Sequence, residues 1–157
     1  MKHLATALGL AVTLPLAAVA ECASVSAGGL TVTGAWSRAT IGNERPAVFY
    51  VEIRNEGETA DRLTGIDTPV AAMTMLHRTV VEEGVASMPH AEAVEIPACE
   101  TVGLAPGSHH GMLMGLTAPL TEGESFPVTL QFERAGAVEI DTRVLSIRAQ
   151  EAQCDAG

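Results

Sequence analysis

Hydrophobic residues recur on a period of two through most of this chain. Val128, Leu130 and Phe132 alternate with Thr129, Gln131 and Glu133. After an Ala135-Gly136 turn, Val138, Ile140, Thr142 and Val144 alternate with Glu139, Asp141 and Arg143. Successive side chains of an extended strand point to opposite faces, so each stretch predicts a half-buried strand with one wet face. Leu30, Val32 and Trp36 follow the same period in residues 30–36. Residues 47–54 are rich in Val, Phe, Tyr and Ile, and Asn55-Glu56-Gly57 ends them with turn chemistry. No stretch carries the 3.6-residue period of a long amphipathic helix, and the sequence has no low-complexity segment or internal repeat. Many short strands separated by Gly, Pro and Asn turns predict an all-β sandwich or barrel.

The N-terminus departs from this pattern. Lys2 and His3 precede an apolar run from Leu4 to Val19, broken by Pro15, and Ala18-Val19-Ala20 has the small-x-small form of a cleavage site. Residues 1–20 read as a secretory signal peptide. The run is short for a membrane anchor and no stop-transfer charges follow it. Glu21 directly before Cys22 argues against a lipoprotein signal, which needs a small residue there. Residues 21–149 then make one domain with a single core. The polar residues 150–157 form a loose tail. The expected location is the periplasm, with no membrane span left in the mature chain.

The formal net charge is −10, from 9 Lys+Arg against 19 Asp+Glu; losing Lys2 with the leader leaves 8 against 19, or −11. Phosphates would be repelled by such a surface, so nucleic acid is excluded as a partner. Acidity by itself points no further, since it also keeps an exported protein soluble. Cys22, Cys99 and Cys154 in an oxidising compartment predict one disulfide and one leftover thiol. Cys22 with Cys154 would tie the two ends together, and Cys22 with Cys99 is the rival. No two cysteines are close enough for a CxxC motif.

Soft ligands are distributed very unevenly. Every methionine after Met1 and every histidine after His3 lies between Met73 and Met114: Met73, Met75, His77, Met88, His90, His109, His110, Met112 and Met114. Met73, Met75 and His77 are spaced by two, as are His110, Met112 and Met114, and Met88 with His90. On strands, each set would point to one side, and three segments could aim sulfur and nitrogen at a shared point. Gly107, Ser108, Gly111 and Gly115 would leave room for backbone bends there. A single methionine on a strand is usually core filler, and a single histidine is usually surface or hydrogen-bonded. Nine such residues confined together point to a metal. Calcium and magnesium want oxygen and zinc rarely takes methionine. Thioether with imidazole suits Cu(I), and thioethers cannot be lost to disulfides outside the cytoplasm.

His77, ten residues, Met88, twenty-one residues, His110, one residue, Met112 forms the pattern H-x10-M-x21-H-x-M. The chain thereby resembles the periplasmic copper chaperone family called PCu(A)C. Ala35-Trp36-Ser37-Arg38, the stretch Tyr50 to Asn55, Asp61-Arg62-Leu63, Ile96-Pro97-Ala98 and Met112-Leu113-Met114-Gly115-Leu116 extend the likeness over residues 29–146. The resemblance implies a single-domain, Greek-key, cupredoxin-like β-sandwich. It implies Cu(I) held by His77, Met88, His110 and Met112. It also implies delivery of copper to a haem-copper (cytochrome c) oxidase, alongside a Sco-type thiol protein. The chain departs from the family at Cys99, where relatives commonly have Gly, and at Gly107-Ser108-His109, where they have a Gly-Gly pair. Cys99 is then a disulfide partner or an additional ligand. His90 and His109 lie outside the motif, either as solvated residues or as a second, harder site for Cu(II).

Two other functions compete. A blue-copper electron-transfer protein needs a thiolate, two histidines and a weak axial ligand, but Cys99 precedes His110 by eleven residues and the compact Cys-His-Met loop is missing. A general periplasmic copper storage or resistance protein would use the same ligands. Catalysis is not expected: no nucleophile, base and orienting group can be named together.

Overall fold

The computed structural model describes residues 20–156. The candidate leader, apart from Ala20, lies outside them. Fourteen strands and no helix occur among the described residues: β1 (Ala20–Glu21), β2 (Ser24–Ala27), β3 (Leu30–Arg38), β4 (Ala47–Asn55), β5 (Asp61–Asp67), β6 (Ala71–Arg78), β7 (Val80–Glu82), β8 (Val85–Ser87), β9 (Val94–Ile96), β10 (Thr101–Leu104), β11 (His109–Leu116), β12 (Ser125–Phe132), β13 (Gly136–Leu145) and β14 (Asp155–Ala156). No helix among these residues is long and apolar enough to cross a membrane.

One hydrogen-bonded path runs β6-β11-β10-β4-β3-β13-β12-β5-β9, with β2 added to β3 and β11 also paired directly to β4. Most neighbours are antiparallel, while β3–β13 and β10–β11 are parallel. β5 and β6 are not paired but meet through a side chain: the Thr74 hydroxyl donates to the Ile66 carbonyl. The enclosed core is aliphatic and aromatic. Phe49, Ile53, Leu63, Ile96, Leu113, Val128, Leu130 and Ile140 are all buried in it.

The alternation predicted for residues 126–144 is present: Val128, Leu130, Phe132, Val138, Ile140, Thr142 and Val144 are buried, and Glu139 and Asp141 are exposed. Trp36 does not follow Leu30 and Val32. Gly34 has a positive φ of 62°, and the β3–β4 register shifts between Thr33 and Trp36. A bulge of this kind adds a residue and reverses the faces beyond it. Ala35 therefore enters the main core, while Trp36 joins Tyr50, Leu145 and Ala149 in a second cluster. Arg38 stacks over the Trp36 and Tyr50 rings at 5.9 and 5.7 Å, and its Nε donates to the Ala149 carbonyl at 2.7 Å.

At the ends, Cys22 is disulfide-bonded to Cys154, and β1 pairs with β14. The segment expected to be a loose tail is thus fastened to the start of the domain. Cys99 is the free, exposed cysteine.

Candidate metal centre

β6 is an edge strand and β11 is its inner neighbour. Their register places His77 opposite His110, Met75 opposite Met112 and Met73 opposite Met114. Between these residues Leu76 and Leu113 point into the core, so alternation sends the histidines and methionines to the other face. His110 is nonetheless only 3% exposed. Gly111 does not bend the strand, as the sequence suggested; it has no positive φ. It provides space instead: a Cβ there would lie 2.5 Å from Ile66 Cδ1 and 3.0 Å from Phe49 Cβ. The absence of a side chain lets β11 press against the core between two candidate ligands. Gly115, with φ +64°, makes the bend after Met114.

The third segment reaches the site differently. A β7–β8 hairpin leaves β6 and returns, and residues 89–91 then run along the free edge of β6. Arg78 N–H donates to the Pro89 carbonyl at 3.1 Å, and Ala91 N–H to the Leu76 carbonyl at 2.8 Å. This pairs His90 with His77 as an antiparallel bridge. Met88, two residues earlier, follows β8 directly and is 54% exposed.

The two motif imidazoles form the centre. The His77 and His110 rings are 5.8 Å apart, edge to face, and the His90 ring is 6.3 Å from His77 on the other side. His110 Nδ1 lies 3.2 Å from the Ser108 carbonyl. That contact fixes the Nδ1–H tautomer and leaves the Nε2 lone pair free. His110 Nε2 and His77 Nδ1 are buried and have no hydrogen-bond partner. A buried polar atom left unpaired costs about 1–3 kcal/mol, so two such nitrogens on opposed strand residues call for a specific reason. Burial, then the charges of His110 and His90, hold His77 below the usual histidine range. It therefore stays neutral, which is the form that ligates.

His109 is directed away. As the neighbour of His110 in an extended strand it points to the opposite face, beside Arg78. Burial, then Arg78 and His110, lower its pKa. His90 and His109 are thus on different faces and do not build a joint second site. Among the described residues no three His, Cys, Asp or Glu side chains are arranged to hold a metal ion. The side chains next along this face from His77 and His110 are the thioethers of Met75 and Met112. Cys99 lies elsewhere: its Sγ donates to the Gly57 carbonyl at 3.6 Å, in the turn that follows β4.

Sequence reasoning had no means of finding the Ser108 carbonyl, because a backbone acceptor leaves no residue signature. The opposition of Met75 to Met112 was also out of reach, since it depends on cross-strand register.

The fold and this face define a class before any particular relative is considered: an all-β, cupredoxin-like sandwich with a paired-histidine, methionine-lined sheet edge. Residues 30–144 match the family model described as "Putative lipoprotein LpqE-like", and the chain belongs to the LpqE-like family. It is 39% identical over 125 residues to the "Putative lipoprotein Lxx21020" of Leifsonia xyli subsp. xyli (strain CTCB07), covering 79% of this chain and 73% of that one. Among solved structures it is similar to the copper-bound PCuAC domain from PmoF2. The TM-score is 0.67 and the identity 26%, over 78% of this chain and 97% of that one. It is also similar to the CuI-DR1885 solution structure from Deinococcus radiodurans, with TM-score 0.61 and 26% identity over 81% and 83%. Both of these solved structures carry copper.

Proposed function

We propose that the protein is an envelope copper chaperone that holds one Cu(I) between His77, Met88, His110 and Met112 and passes it to the copper centre of a haem-copper oxidase. The observation that carries this reading is the pair of unpartnered, buried imidazole nitrogens on directly opposed strand residues. Two neutral nitrogens flanked by thioethers make a soft, uncharged donor set, which suits Cu(I) and disfavours calcium, magnesium and zinc. One structural neighbour is copper-bound and another is a CuI form, which supports the same metal.

The donors differ in exposure, and that suits a carrier. His77 and His110 sit on paired strands, whereas Met88 lies on an exposed segment at the sheet edge. An acceptor's ligand can displace Met88 first while the histidines still hold the ion. No thiolate stands near the histidines, which weighs against a blue-copper site. Export to the cell envelope fits the lipoprotein names of the family and of the relative. A lipid anchor on Cys22 does not fit, because Cys22 is bonded to Cys154.

Anaerobic competition with a Cu(I) chelator tests the binding. His77→Ala is expected to lower affinity by roughly 100-fold or more, since even supporting residues of metal sites cost about 10–100-fold. Unchanged affinity in that variant would remove the reading. Delivery is tested by mixing the Cu(I) form with a soluble CuA-bearing oxidase fragment. Transfer within minutes is expected, and copper retained by this protein would exclude that acceptor.

A further inference from the structure

The methionines are not core residues. The buried hydrophobic core contains none of Met73, Met75, Met88, Met112 or Met114, although gap-filling inside is the usual use of this residue. Four of them instead make two rungs, Met75 opposite Met112 and Met73 opposite Met114, in direct continuation of the His77–His110 rung. Opposed residues on one face have Cβ atoms about 4.5–5.5 Å apart, and the next rung is about 7 Å along. When Met112 is committed to the ion at the histidines, Met75, Met73 and Met114 remain as three thioethers within side-chain reach of one point. Met73 is 51% exposed, so that point opens to solvent. Residues 71–76 and 111–116 contain no Asp, Glu, Lys or Arg, so no carboxylate or competing cation stands on these stretches.

We propose that Met73, Met75 and Met114 form a second site for a soft monovalent ion, Cu(I), at the solvent end of the ladder. The inference rests on the proposed function only in assigning Met112 to the first ion. Three neutral thioethers bind a soft ion without cancelling its charge, and a neighbouring cation about 7 Å away repels it. The outer site is therefore the weaker one and serves as a loading position. The ion moves inward by ligand exchange from Met75 to Met112, copper stays Cu(I), and no electron is transferred.

The test is anaerobic titration of the protein with Cu(I), after alkylating Cys99 so that its exposed thiol cannot compete. Native mass spectrometry counts the ions and X-ray absorption reads their shells. The wild type is expected to take two equivalents, with the second adding sulfur only. Met73→Leu/Met114→Leu is expected to keep the first equivalent at unchanged affinity and lose the second. Met73→Leu alone, at an exposed position, is expected to weaken the second at least tenfold. His77→Ala/His110→Ala is expected to retain the sulfur-bound ion. A wild type that takes one equivalent overturns the second site, as does a second equivalent retained by the double leucine variant. The histidine site fails on a different arm, if His77→Ala/His110→Ala keeps the tight equivalent.

Discussion

At the scale of single residues, the two faces of β11 predict opposite consequences. Met112 is half-buried on the ligand face, whereas Leu113 is fully buried against the core. Leu113→Ala is expected to cost about 2–5 kcal/mol by chemical denaturation. Met112→Ala should leave metal-free stability within about 1 kcal/mol while weakening Cu(I) binding. A large stability loss for Met112→Ala would make it a packing residue. Gly111→Ala should destabilise by about 1–3 kcal/mol, because its methyl group overlaps Ile66 and Phe49. Acid acts on the same face. His77 and His109 are both held below the ordinary histidine pKa, first by burial. The unfolded chain then binds protons that the folded chain refuses. Their contribution to metal-free stability is full above about pH 6.5 and is lost as pH falls toward the folded-state values. The urea midpoint should drop between pH 7.5 and 5, and His77→Gln should reduce the drop. A midpoint rising through that range would contradict the burial of these imidazoles.

At the scale of elements, the long strands were readable because one face of each is buried, and burial imposes alternation. β12 and β13 lie where Val128 to Phe132 and Val138 to Val144 placed them. Parity failed at Trp36 because a bulge at Gly34 is a local backbone event that no hydrophobic period encodes. The edge segment at Met88–His90 was legible as a ligand pair but not as a bridge along β6, since single backbone pairings depend on what the preceding hairpin leaves in place. Turn chemistry also hid a structural acid. Asp61 is buried, and its carboxylate accepts from the Arg134 and Ala135 backbone N–H groups at 2.9 Å each. It thereby ties β5 to the β12–β13 turn. Asp61→Ala should cost roughly 2–4 kcal/mol, because it strands these two donors and the Arg62 N–H beside a buried strand end; a change under about 0.5 kcal/mol would show that water replaces the carboxylate. Reducing the Cys22–Cys154 bond, which closes a separation of 132 residues, should lower stability by about 2–4 kcal/mol. Identical melting with and without reductant would show that the ends contribute nothing.

At the scale of the molecule, the ligand spacing H-x10-M-x21-H-x-M carried more information than composition or charge. It singles out two paired strands and the segment that runs along their edge, and the family match at residues 30–144 spans all four residues. Neither terminal cysteine falls in that match, and their pairing became visible only once the chain ends were positioned. Register remained hidden for the same reason: a strand's sequence specifies its faces, but its partner's sequence decides which residue stands opposite. The central claim is spatial, and anomalous diffraction at the copper edge from crystals loaded with one equivalent of Cu(I) addresses it most directly. One peak is expected within bonding distance of His77 Nδ1, His110 Nε2 and the Met88 and Met112 sulfurs. A peak at Cys99, or at any position that leaves His77 Nδ1 and His110 Nε2 unligated, would contradict it.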